Sequence, residues 1–156
     1  MKKILFVCTG NSCRSVMAQG LLRHLLQKKG RNDIQVLSAG VATIGGMGPT
    51  PETVEVMKSM EVDVSGHVGQ PVTPELVRHA DIIFCMEEFH REWIIAGAPE
   101  AAPKTHLLKT FQANQKAQDP NIPDPIGRPK EVYESCSMTI KDSIDRVVRW
   151  MEQQPS

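Results

Sequence analysis

A short run near the N-terminus that is apolar after its first residue, Lys3–Cys8 (KILFVC), is followed after only five residues by a helical stripe. Over Arg14–Lys29 the apolar positions Val16, Met17, Leu21, Leu22, Leu25 and Leu26 recur at helical spacing, and Gly30 closes the segment. A short run that is apolar at nearly every position reads as a strand buried on both faces, which in turn demands helices above and below it. The rest of the chain repeats the alternation. Ile34–Ser38 reads as a second strand closed by Ala39-Gly40, Asp81–Met86 as a third, and Thr105–Leu108 as a short fourth. Thr50-Pro51 and Thr73-Pro74 each place an N-capping hydroxyl before a proline at the first helical position, predicting helices near 51–60 and 74–79. Further helices are expected over Glu87–Ala96 and Lys130–Gln153, the latter carrying Val132, Met138, Ile140, Ile144, Val147, Val148 and Met151 as its apolar positions.

Strand–helix alternation with right-handed crossovers predicts an α/β, three-layer sandwich with a central four-stranded parallel sheet and helices on both faces. No repeat or linker divides the 156 residues, so residues 1–156 are expected to form a single domain. The polar stretch Gln112–Gly127 is too long for an ordinary connection. Its prolines, in DPNIPDPIG, predict a rigid functional loop and argue against disorder.

Open α/β sheets bind ligands at the carboxyl ends of their strands, facing a helix N-terminus whose free amides attract anions. The loop between the first strand and first helix, CTGNSCRS, matches neither nucleotide-binding glycine pattern. It offers backbone amides from Thr9 to Arg14, Gly10 at the bend, and the Arg14 guanidinium, which can grip two oxygens of a phosphoryl group. A helix N-terminus and a nearby cation also favour a thiolate at Cys8. A thiolate facing a clamped phosphoryl group is an in-line nucleophile. Far downstream, Asp124 stands between Pro123 and Pro125. A residue before proline is confined to extended conformations, so Asp124 is held stiffly as a candidate general acid and base.

Charge and cysteine content narrow the partners. With 18 basic and 18 acidic residues the formal charge is zero, which suggests neither nucleic acid nor an anionic membrane as partner. No apolar run approaches the ~20 residues of a membrane span. The apolar stretch after Met1-Lys2-Lys3 stops at Val7, too short for a signal-peptide core. Cys8, Cys13, Cys85 and Cys136 show no C-x-x-C spacing, so neither a metal site nor a thioredoxin-type pair is expected, and the chain is expected to be cytoplasmic with reduced thiols.

The loop C-x-x-x-x-x-R-[ST] with a distant Asp-Pro resembles the signature of the low-molecular-weight protein phosphatases. The resemblance runs over essentially the whole chain and includes SAG (Ser38–Gly40), SGH (Ser65–His67) and DPIG (Asp124–Gly127). It implies a phosphate-binding loop after the first strand formed by Thr9, Gly10, Asn11, Ser12, Cys13, Arg14 and Ser15. In that resemblance Cys8 is the nucleophile, forming a phosphocysteine, and Arg14 is the phosphate ligand. Asn11 holds a strained turn with help from His67, Ser15 hydrogen-bonds the Cys8 sulfur, and Asp124 is the acid. No cofactor is implied. The partners are phosphorylated proteins, and a monomer is favoured.

The resemblance leaves the substrate open. Tyrosine-directed relatives carry a bulky aliphatic at the position of Ser12 and aromatic rings after the second strand and after Asp-Pro. Here Val41–Pro49 holds no aromatic residue and Ile126 follows Asp124-Pro125. That pattern looks more like the arginine-phosphatase branch, although the usual residue at Ser12 there is threonine. Phosphoarginine is therefore the expected substrate, with phosphotyrosine as the alternative. A thiol-linked arsenate reductase shares the loop but needs relay cysteines, and Met86–Ala96 contains none. A binding module without catalysis is disfavoured by the presence of nucleophile, arginine and acid together. Cys13 lies on the loop of Cys8, close enough in sequence to be a candidate redox partner that traps an oxidised Cys8. Cys85 and Cys136 are expected in the core, His24, His79 and His90 at the surface or in the core, and Trp93 and Trp150 as packing residues. Gly45, Gly46 and Gly48 suggest a flexible loop bordering the site.

Overall fold

The structure, a computed structural model, describes residues 2–114 and 119–154. Residues 115–118 of the proline-containing segment lie outside the described residues. The elements are β1 (Lys2–Cys8), α1 (Arg14–Lys28), β2 (Ile34–Gly40), α2 (Pro51–Ser59), α3 (Pro74–His79), β3 (Ile82–Cys85), α4 (Glu88–Gly97), a 3₁₀ turn (Pro99–Lys104), β4 (Thr105–Leu107) and α5 (Lys130–Glu152). The four strands form one parallel sheet in the order β2-β1-β3-β4.

Alternation along the central strands explains the three layers. Ile4, Phe6 and Cys8 of β1 and Phe84 of β3 point into one core with α1, α2 and α5. Leu5 and Val7, with Ile83 and Cys85, point into the other, against Val77 of α3 and Ile94 of α4. Because β1 and β3 are buried on both faces, they show no hydrophobic–polar alternation in sequence. Both proline-started helices form as expected: Thr50 Oγ1 accepts from the Thr53 amide at 3.3 Å and Thr73 Oγ1 from the Leu76 amide at 3.2 Å.

The chain leaves β1 toward β2 on one side and later returns to β3 on the other, so the connection order reverses at β1. The loop after β1 therefore opens into the crevice where parallel sheets bind ligands.

Three expectations are corrected. β2 runs two residues past Ser38, because Ala39 and Gly40 stay in register with Val7 and Cys8. Met138 is 55% exposed: it lies off the α5 stripe of Tyr133, Cys136, Ser137, Ile140 and Ile144, two residues past Cys136 and so on another side of the helix. Trp93 is half exposed, whereas Trp150 packs edge-on against Phe111 at a centroid separation of 5.2 Å. Cys85 and Cys136 are buried as expected, and burial pushes both thiols up to about 12. Gly45 and Gly46 adopt left-handed backbone conformations, and their loop is tied down: the Gly46 amide donates to Gly69 O and the Gly69 amide to Met47 O.

Candidate active site

The loop closing β1 turns back over its own strand end. Asn11 makes that turn with φ +55°, a left-handed conformation that asparagine tolerates better than most residues. Gly40, at the end of β2, makes room for it. A Cβ there would lie 2.6 Å from Thr9 O and 3.0 Å from the Asn11 nitrogen. The SAG sequence thus has a steric reason to end in glycine. α1 begins with no side-chain cap and no acidic residue in its first turn, so its leading amides are not taken up by a capping side chain.

Behind the loop a buried polar chain fixes the direction of each hydrogen bond. Asn11 Nδ2 donates to Ser38 Oγ at 3.0 Å and to Ser15 Oγ at 2.7 Å, and Ser38 in turn donates to Gln19 Oε1 at 2.6 Å. Asn11 Oδ1 accepts from the Gln70 amide, and its backbone carbonyl accepts from His67 Nε2 at 3.1 Å. Since Ser15 Oγ accepts from Asn11, its own proton is free for the Cys8 sulfur 2.9 Å away. The Asn11 amide also donates to that sulfur, at 3.2 Å. Two donors thus converge on the Cys8 sulfur.

Arg14 is the bulkiest of the fully buried side chains, with 1% of its surface exposed. A buried guanidinium requires compensation. Nη1 donates to Glu87 Oε2 at 2.8 Å and to Ile122 O at 2.7 Å, while Nη2 reaches Thr9 Oγ1 at 3.3 Å and Asp124 Oδ2 at 3.5 Å. Asp124 is held from the other side by the Ile126 amide, which donates to Oδ1 at 3.1 Å. His90 completes the arrangement. It is fully buried, and desolvation together with the nearby Arg14 charge depresses its pKa to about 3, so the ring is neutral.

Cys8, Thr9, Gly10, Ser12, Cys13, Arg14, Asp124 and Ile126 line a cavity of about 190 Å³. Asn11, Ser15 and His67 stand behind the loop and hold it. Desolvation lowers the His67 pKa. Cys13 has a free thiol whose sulfur lies 3.5 Å from Thr50 Oγ1 and 3.9 Å from the Tyr133 hydroxyl. Sequence reasoning missed Glu87 and His90. Their signal was an E-x-x-H pattern at a helix start, where Glu87 and His90 cap each other's backbone amides.

This geometry has relatives. Residues 3–155 match the family described as low molecular weight phosphotyrosine protein phosphatase. The chain belongs to that family. It is 30% identical to the protein-arginine-phosphatase of Bacillus subtilis, covering 97% of this chain and 95% of that protein. It is 35% identical to a probable low molecular weight protein-tyrosine-phosphatase, EpsP, of Ralstonia solanacearum, covering 93% and 92%. Among solved structures, a mutant of the YwlE arginine phosphatase with a phosphorylated active site serine superposes with a TM-score of 0.89. It has 26% identity and covers 97% of each chain. The chain is thus a low-molecular-weight protein phosphatase, a hydrolase, and among the described residues no helix is long and apolar enough to cross a membrane.

Proposed function

We propose that this phosphatase hydrolyses phosphoarginine in proteins through a phosphocysteine at Cys8. Within the family reading, the observation that carries the choice of substrate is the pocket wall. Ser12 contributes a small hydroxyl, and among the described residues Ile126 is the one lining residue with a branched aliphatic side chain and no aromatic ring lines the cavity. A phenol ring draws its affinity from apolar and stacking contacts. A guanidinium is penalised when an aliphatic wall strips its water without offering a hydrogen bond.

In the proposed reaction the phosphoryl group sits on the loop amides and the free edge of Arg14, opposite the Cys8 sulfur. The thiolate attacks phosphorus in line, an S–P bond forms and the P–N bond breaks, and Asp124 protonates the departing guanidine nitrogen. Water, deprotonated by Asp124, then attacks phosphorus, and Cys8 leaves as a thiolate stabilised by Ser15 and the Asn11 amide. The phosphorylated serine in the YwlE mutant supports a nucleophile at this end of β1. Residues 1–156 act as one domain in this reading. A reducing, cytoplasmic setting suits its thiolate, and Cys13 is kept as the candidate partner for an oxidised Cys8.

The test is kcat/KM on matched phosphoarginine and phosphotyrosine peptides. The wild-type protein should prefer phosphoarginine, and Ser12→Ile should move the ratio toward tyrosine by about one to two orders of magnitude, the usual worth of one pocket contact. A wild-type preference for phosphotyrosine that Ser12→Ile leaves unmoved overturns the assignment.

A further inference from the structure

We infer that the Thr9 hydroxyl is a side-chain donor to the bound phosphoryl group, and that His90 is the positioning residue that turns it into one. The inference rests on the phosphoryl-binding reading of the loop and follows from tracking protons. The Glu87 backbone amide donates to His90 Nδ1 at 3.0 Å. A backbone N–H can only donate, so Nδ1 is the bare nitrogen of the ring. In a neutral imidazole the proton is then on Nε2. Nε2 lies 2.9 Å from Thr9 Oγ1 and donates to it. Arg14 Nη2 donates to the same oxygen at 3.3 Å.

A hydroxyl has two lone pairs and one proton. Both lone pairs of Thr9 are therefore taken, one by His90 and one by Arg14, and its proton has to be donated. Among the described residues no protein acceptor takes it. Thr9 is part of the wall of the 190 Å³ cavity, beside Cys8, Arg14 and Asp124. A phosphoryl group brings oxygens to that cavity, whereas a guanidinium offers only donors. The hydroxyl proton thus addresses the phosphoryl end of either substrate. Removing His90 frees one lone pair and lets the hydroxyl rotate away. The ring's low basicity, caused by burial and by Arg14, keeps this arrangement in place through the neutral range.

The experiment measures competitive inhibition by orthovanadate together with kcat and KM on an aryl phosphate. Thr9→Val keeps the shape and removes the proton, and should weaken vanadate about 10- to 100-fold, in line with a hydrogen bond to a charged group. Thr9→Ser should stay near the wild-type value. At position 90 two amides separate the roles of the ring. His90→Asn retains an acceptor near Nδ1 for the Glu87 amide and loses the donor to Thr9, whereas His90→Gln carries its amide nitrogen close to the place of Nε2. The asparagine variant should weaken vanadate as Thr9→Val does, and the glutamine variant should be close to wild type. The double variant Thr9→Val/His90→Asn should be no worse than either single one.

A residue that only caps α4 gives the opposite order, with asparagine harmless and glutamine damaging. That order overturns the role of His90, as do fully additive effects in the double variant. Unchanged vanadate affinity in Thr9→Val overturns the role of Thr9 while leaving the family chemistry standing. A wild-type protein that does not bind vanadate overturns both. If Thr9→Val does not fold, the contrast between the two amides at position 90 still decides.

Discussion

The two segments that meet at the cavity are built in opposite ways. In the loop after β1, Asn11 and Ser15 are fully buried and Arg14 nearly so, and Asn11 alone is tied to Ser15, Ser38, Gln70 and His67. The segment bearing Asp124 is anchored mainly at its upstream end, where the Ile122 amide donates to Met86 O, the Ile122 carbonyl accepts from Arg14, and Asn121 accepts from the Glu88 amide and from Lys109. Beyond that anchor the Asp124 side chain is 36% exposed and Ile126 is 55% exposed. In the proposed reaction the phosphoryl end, the same in every substrate, meets the half that many bonds hold in advance. In that reaction the leaving-group end differs between substrates, and the Asp124 carboxylate that meets it is held by the Ile126 amide, the edge of Arg14 and its flanking prolines. Electrostatic stabilisation depends on donors fixed in advance, whereas a proton donor needs only to reach the leaving atom.

The largest expected effect lies in the braced half. Cys8→Ser should abolish turnover while orthovanadate still binds, because a serine hydroxyl is scarcely ionised at neutral pH and the cup that holds the anion is otherwise intact. More than a trace of turnover in that variant rules out Cys8 as nucleophile. In the open half, Asp124→Asn should slow the reaction by about 10²- to 10⁴-fold. The loss should shrink with nitrophenyl phosphate, whose leaving group departs without a proton. Equal losses on good and poor leaving groups put the acid elsewhere, with Asp119 the next carboxylate to examine.

Stability should separate the halves in the same direction. Asn11→Ala forces a left-handed residue to carry a Cβ without asparagine's compensation and leaves Ser15, Ser38 and the Gln70 amide without their partner. The expected cost is about 2–4 kcal/mol. Asp124→Ala removes one partly exposed carboxylate and should cost less than about 1 kcal/mol. Urea unfolding of the two variants checks this, and the reverse ranking would break the contrast.

The same asymmetry governs what the sequence reveals. The strand, the loop and the helix that build the cup are contiguous, so Cys8, Arg14 and the residues between them are legible as one motif. The apolar runs locate all four strands because β1 and β3 must be dry on both faces. Glu87 and His90 reach the loop from the start of α4, more than 70 residues away, and no local pattern records that Arg14 will be buried and need a counter-charge there. His90 looks like any helical histidine until the fold places Thr9 against it. The end of β2 was likewise hidden, since Gly40 breaks the apolar pattern while staying in register with Cys8 for the sake of the loop above it.

The last expected effect concerns acid. His90 is neutral in the folded state, with a pKa of about 3, against about 6.5 in an unfolded chain. Between those values the unfolded state binds the extra proton, so folding stability rises with pH across the interval. The contribution is complete above about pH 6.5 and is lost as the pH falls, at up to about 1.4 kcal/mol per pH unit for one group. His67 and His106 are lowered as well, chiefly by desolvation, and act in the same direction. Asp33, held at about 2 by Arg31, and Asp63, lowered by Ser65, matter only where unfolded carboxylates take up protons, near pH 4 and below. Urea midpoints at pH 7, 6 and 5 therefore read the histidines. The wild-type midpoint should fall over that range, and His90→Gln, which has no titrating ring at position 90, should fall less steeply. A wild-type midpoint that is flat from pH 7 to 5, or a glutamine variant as acid-sensitive as wild type, means that the His90 ring takes up its proton without unfolding. The braced half of the site would then be looser than its hydrogen bonds indicate.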